Sequence, residues 1–132
     1  MTDSLAPHNS TAALWTGRIL TGIFVLFMLF DMTMKFLQPP EAIKGTTELG
    51  WPVSVMLPLG IVQVVMLALY LFPRTAIFGA ILWTGYLGGA VATHVRIGNP
   101  LFSHILFPIY VALFLWGGLW FRDRRVRQFL FG

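Results

Sequence analysis

At 132 residues the chain holds one domain at most, and its 57% hydrophobic and 11% charged residues set it far from the soluble average. A soluble fold of this size has too little interior for so many Phe, Leu and Trp side chains, so the composition points to a bilayer as solvent. The absence of cysteine rules out disulfides, thiol redox chemistry, Fe–S clusters and thiolate zinc sites, and the net charge of +4 comes from residues at the ends of apolar runs, where membrane topology explains it better than nucleic acid does.

Met1 to Ala13 is polar and lacks the basic start and small-residue cleavage site of a secretory signal, so it reads as a short retained tail. The first span covers about 14–37. Its centre, Ile19 to Phe30, is uncharged and is followed by Asp31 and Lys35 on one helical face. Counting ~1.5 Å per residue from Arg18, which snorkels to the near surface, puts Asp31 about 20 Å along the helix, inside the outer part of a ~30 Å hydrocarbon slab. Gly17, Thr21, Phe24, Met28, Asp31 and Lys35 follow three- and four-residue steps, which turns the charged pair inward.

Gln38-Pro39-Pro40 ends this helix, and Glu41 to Leu49 forms a short interfacial helix stopped by Gly50. No charge occurs from Leu49 to Pro73, which gives a second span at about 52–72, with Trp51 at its outer interface and Gln63 near mid-depth. Pro58 takes the helical partner from the carbonyl of Ser54 and predicts a local kink. Pro73-Arg74 allows only a tight turn, so the third span, about 75–95, runs antiparallel beside the second. Its small residues recur as Ala80, Thr84, Gly88, Ala92 and as Gly85, Gly89, Thr93, two stripes that admit a close neighbour and suggest a central helix.

Gly98-Asn99-Pro100 makes the next turn. The fourth span, about 101–121, carries His104 one turn in and Pro108 four residues later, which frees the carbonyl of residue 104. A basic tail, 122–132, holds Arg122, Arg124, Arg125 and Arg127 against Asp123; these arginines are first a topology signal and second a contact for anionic lipid, with Phe129, Leu130 and Phe131 dipping into the interface. The fold class is therefore all-α: one integral membrane four-helix bundle with short loops and an interfacial helix between spans one and two. Arg18, Arg74 and the four tail arginines fall on one side, Lys35, Lys44 and Arg96 on the other, so both termini are expected in the cytoplasm.

In this topology Asp31, Lys35, His94, Arg96 and His104 share one level near the outer face, Glu48 lies above them and Gln63 below. Intramembrane ionisable residues mark ligand or proton sites by default. The bland alternatives stand beside that reading: Asp31 and Lys35 as a self-neutralising i,i+4 pair, Gln63 as an interhelical hydrogen bond, and the histidines bonded to Asp31 or to the freed carbonyl at 104. Two histidines without a third ligand make no recognised metal or haem motif, and no nucleophile–base arrangement or phosphate loop appears. An independent catalyst is not indicated, and no cofactor is identified.

Asp31-Met-Thr-Met-Lys35, Leu59-Gly-Ile-Val-Gln63, the block Gly79 to Arg96 and Pro100-Leu-Phe-Ser-His104 together resemble the DoxX-like family, small four-helix membrane proteins widespread in bacteria. The resemblance runs from about Arg18 to Arg125. The family takes its name from a subunit of an archaeal thiosulfate:quinone oxidoreductase, and its relatives include accessory factors and an animal receptor-assembly chaperone, so it implies a multi-pass protein of the bacterial plasma membrane and supplies no catalytic residue set. Two functions are expected in turn. One is a membrane-embedded site for a small hydrophobic ligand such as a quinone head group, in a redox-linked system, formed by Asp31, Lys35, Gln63, His94, Arg96 and His104. The other is a non-enzymatic accessory protein whose close-packed bundle, with Ala80, Thr84, Gly85, Gly88, Gly89 and Ala92 as its helix-packing positions, binds and stabilises a membrane-protein partner or its own copies.

Overall fold

The computed structural model describes residues 11–131, with side chains through residue 128. Of the polar tail expected over Met1 to Ala13, residues 1–10 lie outside what is described and Thr11 to Ala13 already belong to the first helix; the interfacial role expected for Phe129, Leu130 and Phe131 also lies outside it. Among the described residues six α-helices follow one another: α1 (Thr11–Leu37), α2 (Pro40–Glu48), α3 (Met56–Leu71), α4 (Ala76–Arg96), α5 (Phe107–Arg122) and α6 (Arg124–Phe131). Four stretches are long and apolar enough to cross a membrane: Thr11–Leu37, Val53–Leu71, Ala76–Arg96 and Leu101–Arg122. They are the four spans that hydropathy predicts.

The spans run up, down, up, down and close into a ring in which α1 touches α3 and α5, and α4 touches the same two helices. The most extensive contact joins α1 to α5. Three glycines explain the tight fits. A Cβ on Gly17 would lie 2.8 Å from the backbone of Arg122 and of Gly118, one on Gly118 would lie 2.3 Å from the Thr21 hydroxyl, and one on Gly79 would lie 2.4 Å from the Tyr70 nitrogen. Backbones that approach this closely replace the missing hydrophobic drive between helices in lipid with dispersion contacts. Inside the ring Phe24 meets the rings of Tyr70 and Trp83 edge-on, each at 5.3 Å, and Leu115 and Leu119 complete the core from α5. The outer faces carry Leu26, Phe30, Ile61, Val65, Phe78 and Leu113, all exposed, as a lipid-facing surface demands.

Two prolines act differently from the sequence expectation. Val53–Val55 is a 3-10 turn and α3 begins only at Met56, so Pro58 sits in a first turn where no backbone donor is needed, and the span changes helix type where a mid-helix kink was expected. Span four opens as a π turn, Leu101–Ile105, bends at Leu106, and places Pro108 at the start of α5. The arginine-rich tail is helical: Asp123 caps α6 by accepting from the Arg125 backbone at 2.9 Å, and Val126 is buried under the bundle. Span three is no more central than its neighbours, since each helix of the ring packs on two others.

Candidate functional site

The end of the ring that carries α2 is where the polar side chains gather, and the turns put them there. Chain reversal after α1 requires Gln38 to take a left-handed φ of 52° before Pro39, and α2 then folds back over the bundle mouth until Gly50, at φ 84°, directs the chain down into α3. On the far side Gly98, at φ 74°, turns Asn99 back towards α4, where its side-chain nitrogen lies 2.7 Å from His94 Nδ1.

Beneath α2 lies a cavity of about 910 Å³, within the range of small-molecule sites. Asp31 and Lys35 of α1, His94 of α4 and His104 of the π turn all line it, and Glu48 and Thr46 contribute from α2 above. Lys35 donates to Asp31 Oδ2, and its ammonium lies 6.0 Å from the centre of the Tyr86 ring. Behind the carboxylate Gln63 is completely buried and donates from Nε2 to the same Oδ2 at 2.9 Å. Its amide oxygen, Oε1, is buried without a hydrogen-bond donor among the described residues. The Asp31 oxygen is thus held from two sides while its side chain keeps 38% exposure, open to the cavity. The His94 and His104 rings meet edge to face with centres 5.7 Å apart, and His104 Nδ1 is 2.7 Å from the Ser103 hydroxyl.

Of the six residues expected at the site, four therefore line one cavity. Gln63 supports Asp31 from below without itself lining the space. Arg96 points elsewhere: it donates to the Leu49 carbonyl at 2.9 Å and lies over the Trp51 ring at 5.9 Å, pinning the junction of α2 and α3 to the end of α4. His94 bonds Asn99, where Asp31 was one expected partner. Among the described residues no group of three His, Asp or Glu is disposed to hold a metal ion.

The small residues of α4 divide in a way that spacing does not reveal. Ala80 is buried in the core, Thr84, Gly88 and Ala92 are exposed, and Gly85 and Gly89 line the cavity. A Cβ at Gly85, Gly88 or Gly89 would meet nothing within 4 Å. Within this chain these glycines admit no neighbouring helix. The closest helix contacts belong to Gly17, Gly79 and Gly118, of which only Gly17 was read in a packing pattern.

Sequence reasoning also missed Tyr86, Trp51, Thr93 and Asn99, all of which line the cavity. Tyr86 carried a signal, being the one large residue inside the run Gly85 to Ala90 apart from Leu87. Asn99 carried one as well, because a turn asparagine beside a glycine is placed to bond back to the helix it follows.

The model of the DoxX-like family matches residues 19–118, a stretch that contains every one of these site residues. No curated protein and no solved structure shows a significant match.

Proposed function

The chain belongs to the DoxX-like family, and from that membership and the outer cavity we propose that this integral membrane protein binds a small lipophilic ligand with a hydrogen-bonding head, such as a quinone head group, within a redox-linked membrane system. The observation that carries the reading is the convergence of Asp31, Lys35, His94 and His104 on one cavity of about 910 Å³. Lys35 offers donors, Asp31 and the imidazoles offer acceptors, and Met34, Met56 and Leu59 give an apolar surround in which such bonds are strong. The charge balance supports an outer location for this site, with both termini in the cytoplasm of a bacterial cell.

The test is equilibrium binding of a decyl-substituted benzoquinone to the protein in lipid nanodiscs. Lys35→Met weakens binding by about tenfold or more, the loss of one charged hydrogen bond. Unchanged affinity in that variant, or no binding by the natural sequence, overturns the reading. One observation favours a second function, that of an accessory protein: Thr84, Gly88 and Ala92 present a low, exposed strip on α4 to the lipid. Gly88→Leu then abolishes co-purification with a membrane-protein partner, or self-association, while ligand binding persists.

A further inference from the structure

The cavity reaches far below the membrane surface. At about 1.5 Å per residue down α4 from His94, Gly89 lies ~8 Å and Gly85 ~14 Å deeper, at the level of acyl chains. Both nonetheless line the cavity and are exposed. At their inner ends α3 and α4 join tightly, Gly79 meeting the Tyr70 backbone, and at the outer rim Arg96 of α4 holds the Leu49 carbonyl in the junction that leads into α3. Between these contacts α3 presents Val55, Met56 and Leu59 to the cavity, and α4 presents bare backbone at Gly85 and Gly89.

We propose that the cavity opens sideways into the bilayer between α3 and α4, through a portal whose α4 edge is Gly85 and Gly89, and that its occupant is a one-tailed amphiphile with its head at Asp31–Lys35 and its chain leaving across the glycines. This rests on the binding reading above and specifies how that site is reached. The division of chemistry supports it. The charged and hydrogen-bonding groups stand at Asp31, Lys35, His94 and His104, whereas the portal edge offers Leu59 and two glycines, with Met56 buried behind them. A helix backbone satisfies its own hydrogen bonds, so bare glycine at this depth exposes no unpaired polar group to lipid while leaving width for a chain. On the aqueous side α2 covers the cavity with Gly45, Thr46 and Glu48.

The chain has no cysteine, so Ala90→Cys places a single thiol on the cavity wall. In nanodiscs a lipid-partitioning alkyl maleimide labels it about tenfold faster than a sulfonated, membrane-excluded maleimide, and adding Gly85→Leu with Gly89→Leu slows the alkyl reagent by a similar factor while leaving the sulfonated one within about twofold. Where the leucine pair fails to fold, Gly85→Ala with Gly89→Ala serves, with a smaller slowing of the same reagent. Equal labelling by both reagents, or an alkyl rate indifferent to the filled glycines, overturns the portal. The leucine pair also weakens decyl-benzoquinone binding about tenfold and leaves a tail-less benzoquinone within about twofold; equal loss of both probes overturns the assignment of the chain path. A protein that binds both probes but labels equally from water refutes the portal alone, and a protein that binds neither while labelling from lipid refutes the head-group reading alone.

Discussion

Asp31 stands six residues before the end of α1, roughly 9 Å inside it, and its carboxylate takes hydrogen bonds from Lys35 one turn on and from Gln63 across the α1–α3 interface. A lone charge at a helix centre costs ~2.5–3.5 kcal/mol on insertion scales and less towards the interface, so removing one member of this pair strands the other. Asp31→Ala is therefore expected to lower the melting temperature in detergent, and Asp31→Ala with Lys35→Ala to recover part of the loss; equal melting of the two variants would show that the pair is not coupled. Gln63 behaves differently because its Oε1 is already unpartnered. Gln63→Met gives up the hydrogen bond to Asp31, worth on average about 0.6 kcal/mol between membrane helices, and a weak one to Met28 Sδ, and relieves one buried acceptor, so its stability should stay within ~1 kcal/mol of the natural chain. The charges and the amide were legible in the sequence as a level in the membrane. Their directions were not, since Arg96 shares that level with His94 but turns outward to the Leu49 carbonyl, a choice made by where the α2–α3 junction happens to lie.

At the scale of helices, glycine means opposite things at two places on α4. Gly79→Ala drives a methyl to 2.4 Å from the Tyr70 nitrogen and forces α3 from α4, an overpacking loss of about 1–3 kcal/mol. Gly88→Ala meets nothing within 4 Å and gains helix propensity of up to ~1 kcal/mol, so thermal melts of the two variants should move in opposite directions. Spacing marks such residues as low in profile; what fills the space depends on the partner helix, and for Gly85 and Gly89 that filler is a cavity. The helix α6 makes a second case, because a run of arginines hides the inward Val126 and the cap at Asp123. Partial burial works to raise the Asp123 pKa, but hydrogen bonds from the Arg125 side chain and backbone, with the charges of Arg125 and Arg122, outweigh it and hold the carboxyl below its usual range. A depressed folded pKa stabilises docking fully above the unfolded value near ~4 and less as pH falls through the folded one. Amide exchange over Arg124–Gln128 should rise on acidification below that range. Asp123→Asn keeps a capping side chain and should flatten the acid response; a response unchanged in that variant would move its origin elsewhere.

For the molecule as a whole, the bundle, its four spans and the interfacial helix could all be read from hydropathy, prolines and charge, since each of these acts within one segment. The closing of the ring could not, because it depends on Gly17 meeting Gly118 and Arg122 across most of the chain. Orientation is tested with single cysteines in the cysteine-free background: an impermeant maleimide should reach Lys44→Cys in intact cells and Arg74→Cys only after permeabilisation, and the reverse pattern would invert the topology. The bond between Lys35 and Asp31 has a bearing on biogenesis too. Both partners belong to α1, so neutralisation needs no later segment, and α1 can leave the translocation channel for lipid before α3 is synthesised. Gln63 reaches the carboxylate only when the second hairpin arm arrives, which makes its hydrogen bond a marker of completed assembly and leaves insertion of the first helix independent of it.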